Sequence, residues 1–175
     1  LIGLVGSEMC IRDRDKVVHP FHGAGIITSI EEKECFGETH LYYLLNLPHS
    51  KLELNIPVDS ADSIGLRPVM LPEEADAVFA QLALPCEINT VNWNKKHREN
   101  LDKLRTGNIL DAVDVYKYLR LRERKRSLST GEKKLLTNSK NAIFSELMFA
   151  TGVSEEALTE KIDAIFIKLG QECGL

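Results

Sequence analysis

An α+β fold, all-β first and all-α after, is what this sequence of 175 residues predicts. Two observations carry that prediction. Residues 15–70 hold short apolar runs broken by Pro, Gly, Asn, His and Asp, and one run alternates with a period of two. From Pro72 onward the apolar spacing changes to three and four residues. The change falls near residues 70–74 with no low-complexity linker, so the predicted units are 15–70 and 72–172.

The strands come in order. "DKVVH" leads into the turn-rich "PFHGAG", followed by "IITSIEE", "THLYYLLNL", "KLELNI" and "SIGLRPV". In "LELNI", Leu52, Leu54 and Ile56 alternate with Glu53 and Asn55, which marks a strand with one buried face. Five short strands in so few residues suggest a small barrel.

Five helices should follow. Pro72 suits a first-turn position, and Glu73 and Glu74 favour the positive end of the helix dipole. Ala75, Val78, Phe79 and Leu82 share one face of this helix. The second helix should run from Trp93 to Gly107. Asn108 caps the third, with Ile109, Ala112, Val113 and Tyr116 facing inward. "STGE" at 129–132 is a capping box that opens a fourth, with Leu136, Ile143 and Leu147 inward. Ser154 opens the last, which buries Leu158, Ile162, Ile165, Phe166 and Leu169.

The first fourteen residues, "LIGLVGSEMCIRDR", differ in texture. They lack the ordered regions of a signal peptide and resemble translated sequencing-adapter text. They are expected to add nothing to the fold, with Asp15 as the first native residue.

Composition bounds the function. At 43% hydrophobic and 27% charged, the chain reads as a soluble globular protein. No apolar run approaches the roughly 18–20 residues of a membrane span. Cys10, Cys35, Cys86 and Cys173 form no CxxC pair, which argues against zinc and fits a reducing cytoplasm. The formal net charge is −4, but it is unevenly spread. Residues 91–140 hold fourteen Lys or Arg against six Asp or Glu, while the rest holds eight against twenty. That is a positive surface on an acidic body, or else a set of solvated helix faces.

Catalytic chemistry finds little support. His19 and His22 stand three apart in a turn, without a third ligand for a metal. "FHGAG" lacks the helix and the Lys-Ser/Thr of a phosphate loop, and "GEKK" lacks the upstream glycine. No enzyme, cofactor, metal or small-molecule substrate is expected.

Trp93 is the single tryptophan, and it heads the cationic segment "VNWNKKHRENL". It shares a helical face with His97, Leu101 and Leu104, which would suit a core position. It also lies in the first turn beside Lys95, Lys96 and Arg98, which would suit an exposed tool for nucleic acid. Pattern leaves both open. The run "RLRERKR" contributes Arg122, Arg124, Lys125 and Arg126, and Lys133 and Lys134 follow on the next helix. These could form a joint patch, and the helix start at Ser129–Glu132 could offer N–H groups to a phosphate. They could equally be the solvated end of a helix, where cations suit the negative dipole terminus.

"DKVVHPFHGAG", "YYLL", "NIPVDSADSIGLRPV", "NWNKKHRENLDKLRTGN" and "LSTGEKKLL" occur in one order and spacing. With them the chain, from Asp15 to about Ile167, resembles the bacterial CarD/CdnL-family transcription regulators. A similar first module occurs in the transcription-repair coupling factor, but no helicase motifs follow here. The resemblance implies a Tudor-like barrel that binds the β subunit of RNA polymerase. It also implies a helical domain that meets promoter DNA at the upstream edge of the transcription bubble and stabilises the open complex. The family's wedging tryptophan matches Trp93, and its basic positions match Lys95, Lys96, Arg98 and Lys133. A family arginine on the polymerase face corresponds to Lys33, which keeps the charge. A second corresponds to Asn55, which does not. The edge strand Leu52, Glu53, Leu54, Asn55 and Ile56 is expected to dock. An indole at a base step can hold a junction open. The surrounding cations would fix register on phosphates without reading sequence. A monomer, cytoplasmic and held near the nucleoid through polymerase, is implied. The competing expectations are an adaptor whose helices bind another protein, and a free-standing DNA-binding protein.

Overall fold

The computed structural model describes residues 11–35, 37–86 and 92–172, apart from the side chains of Cys35, Trp93 and Glu172. Strands β1 (Lys16–His19), β2 (Gly23–Cys35), β3 (Glu38–Leu47), β4 (Leu52–Pro57) and β5 (Arg67–Pro68) form one antiparallel sheet. Its order is β4-β3-β2-β1-β5, so β4 and β5 are its edges. The β2–β3 ladder slips by one residue between Ile27 and Ser29, a bulge that bends the long strand. Val17, Ile27, Tyr43, Leu45, Leu47 and Ile56 fill one core on this sheet, closed by Ala61 and Leu66.

Three expectations for this half need correction. "GAG" is part of β2 rather than a turn, and the turn is confined to residues 19–22. Gly23 is needed because its φ is +86° and a Cβ there would collide with the Ser145 hydroxyl on a neighbouring helix. "SIGLRPV" is not one strand. Ala61–Ile64 forms a short helix, α1, which stops at Gly65 (φ +86°) with Leu66 N–H donating to Ala61 O at 3.0 Å. β5 is then two residues long, and its Pro68 suits an edge because it has no N–H to donate. Residues 11–14 do not stand apart. Arg14 N–H donates to Ile27 O at 2.8 Å, and Ile11 packs on the sheet's core.

A single 3-10 turn at Pro72–Glu74 leads into α2 (Ala75–Ala83), followed by α3 (Trp93–Arg105), α4 (Ile109–Lys125), α5 (Thr130–Thr151) and α6 (Glu155–Glu172). The Asn108 and Ser129 caps form as expected, and Ser129 and Glu132 complete a reciprocal box. α4 is not one-faced. Val115, Lys117, Tyr118, Leu119 and Leu121 are buried along with Ala112, Val113 and Tyr116. Its middle is covered on several sides, because α4 is the axis on which α2, α3 and α5 pack. On α5 Leu135 is buried together with Ile143 and Leu147, and Leu136 is only partly covered. No helix among the described residues is long and apolar enough to cross a membrane.

The two halves are joined along α5. Ala24 N–H donates to Ser145 Oγ at 2.8 Å in a buried contact. Arg67 on β5 grips Glu146 on α5 through both guanidinium nitrogens, at 2.6 and 2.7 Å. Glu146 is 1% exposed and also accepts from Met70 N–H at 3.0 Å. Arg67 Nε completes the fork by donating to Gly107 O at 2.9 Å.

Candidate nucleic-acid interface and docking edge

The first turn of α3 is built against local preference. Asn92 caps it from a left-handed conformation, φ +62°, and its side chain accepts from Lys95 N–H at 3.4 Å. No acidic residue occupies that turn, and Lys95 and Lys96 stand at the positive end of the helix dipole. Each such cation costs a helix about 0.3–1 kcal/mol, so stability does not explain them. Lys95 and Arg98 are exposed. Lys96 is half-buried, with Nζ 3.6 Å from Glu99 and 5.0 Å from the centre of the Tyr118 ring.

α3 then meets α5 at its start. A Cβ on Gly131 would come within 3.2 Å of His97 Cε1, so glycine lets the two helices approach. His97 is thus a spacer between helices, which the apolar-stripe reading did not capture. The contact sets the first turn of α5, with exposed Lys133 and Lys134, beside the opening turns of α3. The backbone of Trp93 opens α3, one helical turn before His97. Its side chain lies outside the described part of the structure.

The cations of "RLRERKR" divide. Arg122 forms an ion pair at 3.1 Å with Glu132, whose side chain is 5% exposed, and donates to Tyr118 Oη at 3.3 Å. It therefore ties the end of α4 to the cap of α5. Arg124 donates to Phe166 O on α6 at 3.1 Å. Lys125 and Arg126 are exposed at the end of α4. No group of His, Cys, Asp or Glu among the described residues could hold a metal ion. The rings of His19 and His22 meet at a tilt of 43° with centres 4.7 Å apart, at the turn between β1 and β2.

On the sheet, Leu52, Glu53 and Asn55 are exposed on edge strand β4, with Leu54 half-buried and Ile56 buried. Lys33 reaches across from β2 and donates to Asn55 Oδ1 at 2.9 Å. It also lies 3.9 Å from Glu31 and 6.0 Å from the Tyr42 ring centre. The structure brings together two positions that are separated in sequence by a whole hairpin.

Comparison with known proteins finds two family models in succession along the chain. Residues 13–70 match the family model described as "CarD-like/TRCF RID domain". Residues 77–163 match that of "CarD, C-terminal domain". The chain is 31% identical over 144 residues to the Bacillus subtilis (strain 168) protein described as "Putative transcription factor YdeB". That alignment covers 82% of this chain and 94% of the relative.

Proposed function

The chain belongs to the CarD family, transcription regulators that interact with RNA polymerase, and on that premise we propose that it stabilises the open promoter complex. In this reading edge strand β4 docks on the polymerase β subunit, with Lys33 and Asn55 at the contact. Strand addition would supply backbone hydrogen bonds whatever the side chains. The opening turns of α3 and α5 face promoter DNA at the upstream edge of the bubble. Lys95, Lys96, Arg98, Lys133 and Lys134 meet phosphates there, with Lys125 and Arg126 nearby. Trp93 sits as a wedge at a base step that has already opened. Unstacking an intact step costs a few kcal/mol, so the wedge works where the polymerase has separated the strands. The protein acts as a monomer, at the nucleoid through polymerase.

One observation carries the reading: His97 against Gly131 sets two cationic helix starts side by side, where cations do not serve helix stability. The test is the lifetime of heparin-resistant open complexes on a defined promoter. Trp93→Ala should retain polymerase binding and shorten that lifetime about five-fold or more, the weaker end of a base–aromatic contact worth ~1–3 kcal/mol. An unchanged lifetime with a folded, polymerase-bound variant would replace this reading with an adaptor role for the helices.

A further inference from the structure

Between α2, α3 and α4 lies a polar cleft of about 210 Å³, of which the DNA-facing reading uses Lys96 alone. Lys96, Lys103 and Lys117 line it, together with Asn100, Asp114 and Tyr118. One wall is fixed by a chain of contacts. Gln81 Nε2 and Lys103 Nζ each donate to the Asp114 carboxylate at 2.8 Å, and Lys117 Nζ donates to Gln81 O at 2.7 Å. Three ammonium groups thus face one lining carboxylate.

Two groups on the cleft keep hydrogen-bonding capacity to spare. Lys117 is 3% exposed, and an ammonium carries three N–H donors. Among the described residues it has one hydrogen bond, to Gln81 O. Asn100 is also 3% exposed, and its side-chain amide has no partner among the described residues. Both groups line the cleft, so a ligand seated there would meet donors that the chain itself does not use up. Burial also draws the Lys117 ammonium below the usual lysine range, against the opposing pull of Cys86 and Asp114.

We propose that this cleft binds one phosphate group, held by Lys96, Lys103, Lys117 and the amide of Asn100. The size supports a single phosphate rather than a nucleotide, since pockets for whole small ligands run from roughly 300 to 1,000 Å³. The phosphate is either a backbone group of DNA or a free monoester. Lys96 lies on both the cleft and the opening turn of α3, so a DNA strand there is within its chemistry. The site stands whether or not α3 meets promoter DNA.

The experiment titrates the full chain with sodium phosphate at constant ionic strength, with chloride as control. It follows the Asn100 side-chain amide by NMR and thermal stability in parallel. Saturable shifts with phosphate, and none with chloride, are expected. Asn100→Asp is nearly isosteric and keeps the site polar, but it sets a carboxylate against the ligand, so binding should be lost with the fold intact. Lys96→Ala, a partly exposed change, should weaken binding about ten-fold, as for one charge-assisted hydrogen bond. Phosphate indistinguishable from chloride, or wild-type binding by Asn100→Asp, overturns the proposal. The source is read from two further arms. Displacement of phosphate by a short DNA duplex assigns the group to the backbone. Binding of glycerol 3-phosphate without displacement by duplex assigns it to a free monoester.

Discussion

Lys33 and Asn55 form the residue-scale contact most exposed to test. The 2.9 Å hydrogen bond occupies one donor of the ammonium and leaves a single cation where the family resemblance implies two. Asn55→Arg should remove that bond, restore the second charge and tighten docking on the polymerase β subunit. Lys33→Glu should weaken it. Pull-down with the isolated β-subunit lobe reads both, and equal capture of all three proteins would place the docking surface elsewhere. His19 gives a second prediction. Burial, with help from His22, lowers its pKa from 6.5 to about 4, and its Nδ1 accepts from Phe21 N–H at 3.2 Å. The unfolded chain therefore takes up this proton first as pH falls. Its contribution to stability is complete above about pH 6.5, declines toward pH 4 and is flat below. His19→Asn should flatten that part of a urea-midpoint profile.

At the scale of elements, α3 sets stability against use. Lys95→Glu places an acid at the positive end of the helix and should stabilise it by about 0.3–1 kcal/mol. The same change should weaken DNA engagement and flatten its salt dependence, because a phosphate contact releases counterions. A rise in Tm with unchanged DNA binding would show that this turn does not meet DNA. Residues 11–14 give the other element-scale outcome. Deleting 1–14 should lower Tm, since Ile27 O loses the Arg14 N–H and the sheet core loses Ile11. Elements with a long period were legible beforehand. β4 announced itself by alternation, and α5 by its capping box. α1 was not legible, because four residues are too few to show a helical period. The end of β5 was set by an edge position that no local pattern records. Nor could spacing show that Lys33 touches Asn55, since the hairpin that joins them is closed by tertiary pairing.

For the whole molecule, the joint between halves is the Arg67–Glu146 fork. Removing either partner strands the other, and a broken buried pair costs several kcal/mol. Arg67 is 30% exposed on its side chain, so Glu146→Ala should cost about 3 kcal/mol, the low end. Arg67→Ala should cost more, because it leaves a carboxylate at 1% exposure without its counter-ion. Urea unfolding of both variants, with the double variant to isolate the coupling, checks the order. A milder Arg67→Ala would mean that Glu146 finds another partner. A sequence signal existed for this joint: Glu146 is a lone charge within "AIFSELMFA", a run otherwise apolar enough to be core. The signal named a buried acid but not its mate, which lies on the other side of the chain's main boundary.

The fork also decides what kind of object meets its partners. Two modules on a loose string must each give up rotational freedom when both are bound, and such ordering weakens association. Here that freedom is already lost on folding, because Arg67, Gly107, Glu146 and Met70 fix one half against the other. A chain with no swivel between its grips has a set span, like a calliper that has been locked. On the proposed function it would fit assemblies that present polymerase and DNA at that span and reject those that do not, so selectivity would arise from distance alone, without a base being read.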